Sequence, residues 1–302
     1  MVVVSLGLFS CKSNYTRIGD KNANYIPYYL KVYEADSLYI IGEYKNSYKI
    51  LDSLFKKYEP INMPIYFEYE QYIKLANRFD KKTKKNIKKL SQYYNYSIND
   101  IKQDSILYFV LNKSKISEKK IVKWHNQFEK KIDTVYRNLI HRMNLKDQMI
   151  RQNVPINWNN VKKVDLENDS ILKLKLSSKG FPFIRKVGNY KKMSSEISSK
   201  DVSLDVILIH LSVDNTIFES YKKLLIDYVK RGYLPPKTYA NMFDKNYFIN
   251  NKKSYYHFMF SNLKYSEMDT ITKNEINIKR KLEGLPCIDY DYLFTKKRIF
   301  NN

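Results

Sequence analysis

Four residues in the second half of the chain have side chains that hydrolases use for acid–base chemistry: Asp147, Arg151, His210 and Asp244. Asp147 and Arg151 have the spacing that places a carboxylate and a guanidinium on one face of a helix, where they can bind a polar ligand. His210 follows four apolar residues, which predicts partial burial beside a hydrogen-bond partner. If folding brings the four together, they form a hydrolase-type site. The alternatives are ordinary ion pairs and a core histidine.

Other patterns of catalytic and metal-binding proteins do not occur in the sequence. The 7 glycines form no phosphate-binding loop. The 4 histidines have no spacing typical of a zinc site, and no C-x-x-C pair is present. We therefore expect neither a metal nor a cofactor.

The chain is strongly basic, with 54 Lys plus Arg, 31 Asp plus Glu and a net charge of +23. Lysine dominates, and Asn, Ile and Tyr are abundant, which is the profile of an AT-rich genome. Proteins that read DNA sequence use arginine for contacts to guanine. We therefore do not expect nucleic acid as a partner.

Six lysines lie between residues 81 and 89. On one helix, spacings of three and four residues would align most of them into a basic ridge. This predicted lysine ridge consists of Lys81, Lys82, Lys85, Lys88 and Lys89. It predicts binding to phosphates or lipid headgroups, and the alternative is an ordinary solvated face.

The N-terminus has the pattern of a segment that directs a protein to its location in the cell. Residues 1–10 are mostly apolar and are followed by Cys11, and Leu8-Phe9-Ser10-Cys11 resembles the lipobox of bacterial lipoproteins. The resemblance implies cleavage before Cys11, lipidation of its thiol and attachment to a membrane. We therefore expect a signal segment over 1–10, a polar tether over 11–24 and a location in the bacterial cell envelope, facing the periplasm or the cell exterior. The alternative is a buried first strand.

Apolar residues beyond the tether recur at helical spacing, so the sequence predicts an all-α fold. Leu30, Tyr33, Leu38 and Ile41 mark one helix, and a second follows Gly42 and ends before Pro60, which makes a helical hairpin. The hairpin resembles a tetratricopeptide repeat at the residues Ala35, Leu38, Gly42, Tyr44, Ser47, Leu51, Leu54 and Pro60. We expect repeat-like helical hairpins over 25–113.

A C-terminal helical domain is predicted over 114–302. An apolar stripe that runs from Ile121 to Ile150 predicts that this domain begins with one long helix starting near Ser117. Residues 206–211 are equally consistent with a strand and a buried helix. Asp214 is predicted to cap a helix, and Pro235-Pro236 to begin another.

The C-terminal half resembles an uncharacterised bacterial family, domain of unknown function 6624. The resemblance rests on Asp147-Gln148-x-x-Arg151, Asp165-x-x-Asn168, Gly180-x-Pro182, Ile209-His210, Tyr239-Ala240-x-x-x-Asp244, and Arg280 with Gly284-Leu285-Pro286. It implies a lipoprotein context but no activity. In the family an arginine usually follows the position of Asp244, where this chain has Lys245.

These observations favour an envelope lipoprotein that acts as a non-enzymatic interaction or scaffold module. Its repeat-like hairpins would bind a peptide or envelope protein, and its lysine ridge an anionic surface. The alternative is a hydrolase whose site in the C-terminal domain combines Asp147, Arg151, His210 and Asp244. Proximity of His210 to one of the two aspartates separates the two hypotheses.

Overall fold

The fold is built from α-helices, as the apolar spacing predicts. The computed structural model describes residues 15–152, 154–188, 204–258 and 264–292. The signal segment, Cys11 and the first part of the tether lie outside the described residues. In the first half the helices are α1 Ile26–Ile40, α2 Tyr44–Lys57, α3 Glu68–Arg78, α4 Lys84–Tyr94, α5 Ile98–Gln103, α6 Ser105–Lys113 and α7 Glu118–Glu129. In the second half they are α8 Thr134–Gln152, α9 Trp158–Lys179, α10 Ile184–Val187, α11 Asp205–Leu211, α12 Asn215–Lys230, α13 Pro236–Asn251 and α14 Thr270–Leu282, with a 3-10 turn at Tyr265–Glu267.

The first two helices form the predicted hairpin. Gly42 lies in the turn between them with a φ of +86°, a left-handed conformation that glycine adopts without strain. Ala35 on α1 and Ser47 on α2 are fully buried, and their small side chains let the helices pack closely. The hairpin is confirmed, and the tetratricopeptide resemblance remains a prediction.

The prediction of a single long helix from Ser117 is wrong, because the helix is interrupted between Glu129, the last residue of α7, and Thr134, the first residue of α8. Asp133 lies at the break, where its carboxylate accepts a hydrogen bond from the backbone N–H of Tyr136 at 2.9 Å. Its own backbone N–H donates to the carbonyl of Lys186 at 2.7 Å. The apolar stripe is also interrupted, since Val135 is 73% exposed. A local cap and a tertiary hydrogen bond therefore override the helical periodicity.

The described residues form two large hydrophobic cores that do not follow the predicted boundary after residue 113. One core lies among α3 to α7, so α7 packs with the first half of the chain. The other combines α1 and α2 with α8 to α13. The hydroxyl of Tyr29 on α1 donates to the carbonyl of Val229 on α12 at 2.9 Å, which ties the hairpin to the C-terminal helices.

The segment 206–211 is resolved in favour of a helix. It lies in α11, where Ile207 and Leu208 are fully buried. Asp214 caps α12 as predicted, accepting hydrogen bonds from the backbone N–H groups of Thr216 and Ile217. Pro236 is the first residue of α13. None of the described helices is both long and apolar enough to cross a membrane.

A buried carboxylate holds the connection between α2 and α3. Glu68 is fully buried and accepts hydrogen bonds from the hydroxyl of Tyr28 at 2.6 Å and from the backbone N–H groups of Asn62 and Met63 at 2.6 and 2.8 Å. Burial raises the pKa of the Glu68 carboxyl from 4.5 to about 7, although these hydrogen bonds act in the opposite direction. The folded protein therefore binds a proton here more tightly than the unfolded chain does.

This shift predicts a pH-dependent stability. Because the folded pKa of Glu68 is raised, its stabilising contribution is complete below about pH 4.5 and is lost as the pH rises through about 7. Between these values the wild type should lose more unfolding free energy than Glu68→Gln, by an amount on the order of 3 kcal/mol. Urea unfolding at both pH values measures the difference, and parallel pH profiles of the two proteins would contradict the assignment.

Candidate functional site

Four helices of the C-terminal half meet around the candidate site. Helix α11 packs against α8, α9 and α13, and α8 also packs against α9. Asp147 and Arg151 lie on α8, His210 on α11 and Lys245 on α13. The short helix α11 is buried through Ile207, Leu208 and Leu211, which fixes the position of His210. Tertiary packing thus brings together side chains that are distant in the sequence.

The centre of the site is an aspartate–histidine pair. Nδ1 of His210 lies 2.8 and 3.0 Å from the two carboxylate oxygens of Asp147. The Asp147 side chain is fully buried, whereas the His210 side chain is 20% exposed. Among the described residues no hydrogen bond to Nε2 of His210 is found. A carboxylate accepts only, so Nδ1 is the donor in this contact, and in the neutral imidazole the lone pair is then on Nε2.

Arg151 joins this pair to a second carboxylate. Its Nη1 donates to Oδ1 of Asp147 at 2.7 Å, and its Nη2 donates to both carboxylate oxygens of Asp165 at 2.6 and 2.8 Å. The amide of Gln148 donates to Oδ2 of Asp147 at 2.8 Å. Asp147 and Arg151 are therefore not an exposed ion pair on a helix surface, because the carboxylate is fully buried and the guanidinium mostly so. Their contacts set the position of the histidine.

Two further residues of the site are not among the predicted candidates. Asp165 lies on α9, and its only sequence signal is the short motif Asp165-x-x-Asn168 in the family resemblance. Lys245 follows Asp244 on α13 and forms no hydrogen bond or ion pair with any described residue. Burial, with a smaller contribution from the neighbouring Arg151 charge, lowers the pKa of the Lys245 amine.

These side chains line a cavity of about 620 Å³, a size typical of small-molecule sites. Its polar part consists of Arg151, Lys162, Asp165, His210, Asp214 and Lys245. Its apolar part consists of Ile156, Trp158, Val161, Leu166, Leu211, Val213 and Ile217. No Ser, Thr, Cys or Tyr is present among the described lining residues. Within the described ranges, no group of three or more His, Cys, Asp or Glu side chains is arranged to hold a metal ion.

Asp244, the fourth predicted candidate, does not line this cavity. It is fully buried and accepts hydrogen bonds from the backbone N–H groups of Tyr255, Tyr256 and Phe258 at 2.9, 2.7 and 2.7 Å. Three donors occupy the carboxylate, which anchors the segment after α13. A lone acid among aromatic residues thus finds its partners in the backbone.

The predicted lysine ridge is also only partly correct. Helix α4 begins at Lys84, so Lys81 and Lys82 precede the helix and do not align with its face. Lys89 turns inward, where its Nζ lies 5.4 Å from the centre of the Tyr69 ring and burial lowers its pKa. The exposed lysines on α4 are Lys84, Lys85 and Lys88, which we call the α4 lysines.

The corrected role of Asp244 predicts a loss of stability. Asp244→Ala leaves three backbone N–H groups without their acceptor, which should lower the free energy of unfolding by about 3 kcal/mol or more. Asp227→Ala on α12 is the control, since that side chain is half exposed and its ion pair should contribute below about 1 kcal/mol. Chemical denaturation compares the two variants. If Asp244→Ala lowers the free energy of unfolding no more than Asp227→Ala does, the backbone contacts of Asp244 are not stabilising.

Comparisons with models of known protein families, with curated proteins and with solved structures find no match to this chain. The resemblances to domain of unknown function 6624 and to the tetratricopeptide repeat therefore remain predictions from short motifs.

Proposed function

We propose that the C-terminal helices form the active site of a hydrolase in which His210 activates water. The observation that supports this most strongly is the contact of 2.8 Å between Nδ1 of His210 and the fully buried carboxylate of Asp147, at the wall of a cavity. The sequence favours a non-enzymatic interaction module, which assigns no role to this arrangement. A core histidine would be enclosed and satisfied, whereas His210 reaches the cavity with Nε2 unpaired among the described residues.

In the proposed reaction Nε2 of His210 removes a proton from water as the water oxygen attacks an electrophilic carbon or phosphorus. The proton then passes from the imidazolium to the leaving group, which departs as an alcohol or amine. Asp147 holds the tautomer and stabilises the imidazolium that forms. Arg151 pairs with the buried carboxylate and holds it in place.

Substitutions at the pair test this proposal. His210→Asn and Asp147→Asn should each lower kcat/KM for p-nitrophenyl butyrate or p-nitrophenyl phosphate, whichever the wild type hydrolyses, by about 10²- to 10⁴-fold. The first removes the base, and the second removes the acceptor that fixes its tautomer. His141→Asn on α8 is the matched control, because His141 lies outside the cavity lining.

Circular dichroism and thermal unfolding establish that each variant is folded before its rate is compared. A folded His210→Asn protein with the wild-type rate would exclude His210 as the base. Failure of the wild type to hydrolyse a wider panel of carboxylic and phosphoric esters would equally count against the hydrolase.

We also propose that the α4 lysines bind an anionic surface. Lys84, Lys85 and Lys88 are exposed and form no ion pair with any described residue, so their charge is uncompensated. Nζ of Lys88 lies 5.9 Å from the centre of the Trp124 ring on α7, which orients it at the surface. Lipidation of Cys11, which we retain as a proposal, would hold this face near phospholipid headgroups in the cell envelope.

Vesicle binding tests the α4 lysines. In a Cys11→Ser chain, which removes the proposed lipid, changing Lys84, Lys85 and Lys88 to Gln should weaken binding to phosphatidylglycerol vesicles by roughly tenfold or more. The control changes the exposed Lys223, Lys253 and Lys281 to Gln and so removes the same charge elsewhere. Co-sedimentation measures binding, with phosphatidylcholine vesicles as the neutral reference. Equal losses in the two triple variants would mean that net charge, and not this face, determines binding.

A further inference from the structure

We propose that the cavity binds an amphiphilic anion, a molecule with an acyl or aryl chain and a carboxylate or phosphate, and that Lys245 binds the anionic group. This inference rests on the proposed hydrolase, since it names the substrate class of the same site. It depends on two features of the cavity, which are the unequal pairing of its charges and the exposure of its apolar wall.

The charged side chains around the cavity are unequally paired. Formally they cancel, but each acid already has partners. Arg151 binds Asp147 and Asp165, and Asp214 accepts from backbone N–H groups at the start of α12. The two lysines of the lining, Lys162 and Lys245, have no ion pair with any described residue. The two lysine ammonium groups are therefore the charged groups of the lining without a direct partner among the described residues, which favours an anionic group beside one of them.

Lys245 is the better placed of the two lysines. Lys162 is exposed to solvent, where an ion pair contributes little. Lys245 is partly buried and interacts electrostatically with Arg151, Asp165 and Asp147, so it belongs to the polar end of the cavity together with His210. Burial lowers the pKa of its amine, and its Nζ forms no direct ion pair with a described carboxylate. An anion at Lys245 would place the rest of the ligand beside Nε2 of His210.

The apolar wall accounts for the other half of the ligand. Trp158 is 70% exposed, and Val213, Leu166 and Ile156 are 49%, 47% and 37% exposed. All four line the cavity, so a large apolar surface is held in water at one site. An acyl or aryl chain would cover it, and removing this apolar surface from water would stabilise the complex. Covering this wall therefore selects a ligand with an apolar chain.

Trp158 supplies a direct reporter of ligand binding. The chain has 2 tryptophans, so Trp124→Phe leaves Trp158 as the only one. In this full-length background, decanoate and decyl phosphate, titrated below their micelle concentrations, should shift the emission of Trp158 to shorter wavelength. Decyl glucoside, which has the same chain and no charge, should bind at least about tenfold more weakly than the two anions. Comparing the affinities of decanoate and decyl phosphate shows whether the site prefers a carboxylate or a phosphate.

Substitution of Lys245 tests its role. Lys245→Met should weaken binding of the two anions about tenfold, to the level of the glucoside, and leave the glucoside unchanged. Lys245→Arg should restore anion binding, and Lys245→Gln replaces the Met variant if that one does not fold. The control Lys163→Met changes an exposed lysine on α9 that does not line the cavity. Equal affinity of all three ligands, or no effect of Lys245→Met, overturns the proposal.

The experiment separates this inference from the hydrolase. Binding is measured without turnover, and His210→Asn should retain it. Anion binding without hydrolysis of any ester would leave the ligand class standing and overturn the hydrolase. Hydrolysis with no preference for anionic amphiphiles would support the hydrolase and overturn the proposed ligand class.

Discussion

Burial of the Asp147 carboxylate is the constraint on which the arrangement of the C-terminal helices depends. A buried charge is unfavourable unless it is paired and hydrogen-bonded. Asp147 meets this condition only when Arg151, Gln148 and His210 all reach it. Arg151 in turn binds Asp165, so one carboxylate links α8 to α9 and α11. The same contacts that satisfy the buried charge hold the imidazole at the cavity wall.

Tyrosine plays a comparable part in the rest of the fold. The chain has 28 tyrosines, and many are fully buried, so each hydroxyl needs a partner inside the protein. Tyr28 donates to the buried Glu68, Tyr29 to the carbonyl of Val229 and Tyr94 to the carbonyl of Pro60. These bonds join segments that are far apart in sequence. Large aromatic side chains with polar ends thus supply both the packing and the specific contacts between α1 and its neighbours.

Neighbouring residues on α13 show how position decides the role of a charged side chain. Asp244 and Lys245 are consecutive, yet Asp244 is occupied by three backbone donors and Lys245 lines the cavity. Residue type alone makes the acid the stronger catalytic candidate. Its surroundings make it an anchor, and they leave the lysine without a hydrogen bond or ion pair to any described residue.

The helical class, the α1–α2 hairpin and the starts of α12 and α13 could be predicted from the sequence, because these depend on local spacing, glycine, proline and capping residues. It also identified Asp147, Arg151 and His210 as candidates. It failed at the break before α8, where Asp133 binds the distant Lys186 carbonyl. It failed again at Asp244 and Lys245. Which side chains share a cavity and which bind the backbone became clear from the packing of the helices, because burial and hydrogen-bond partners depend on residues that no local pattern connects.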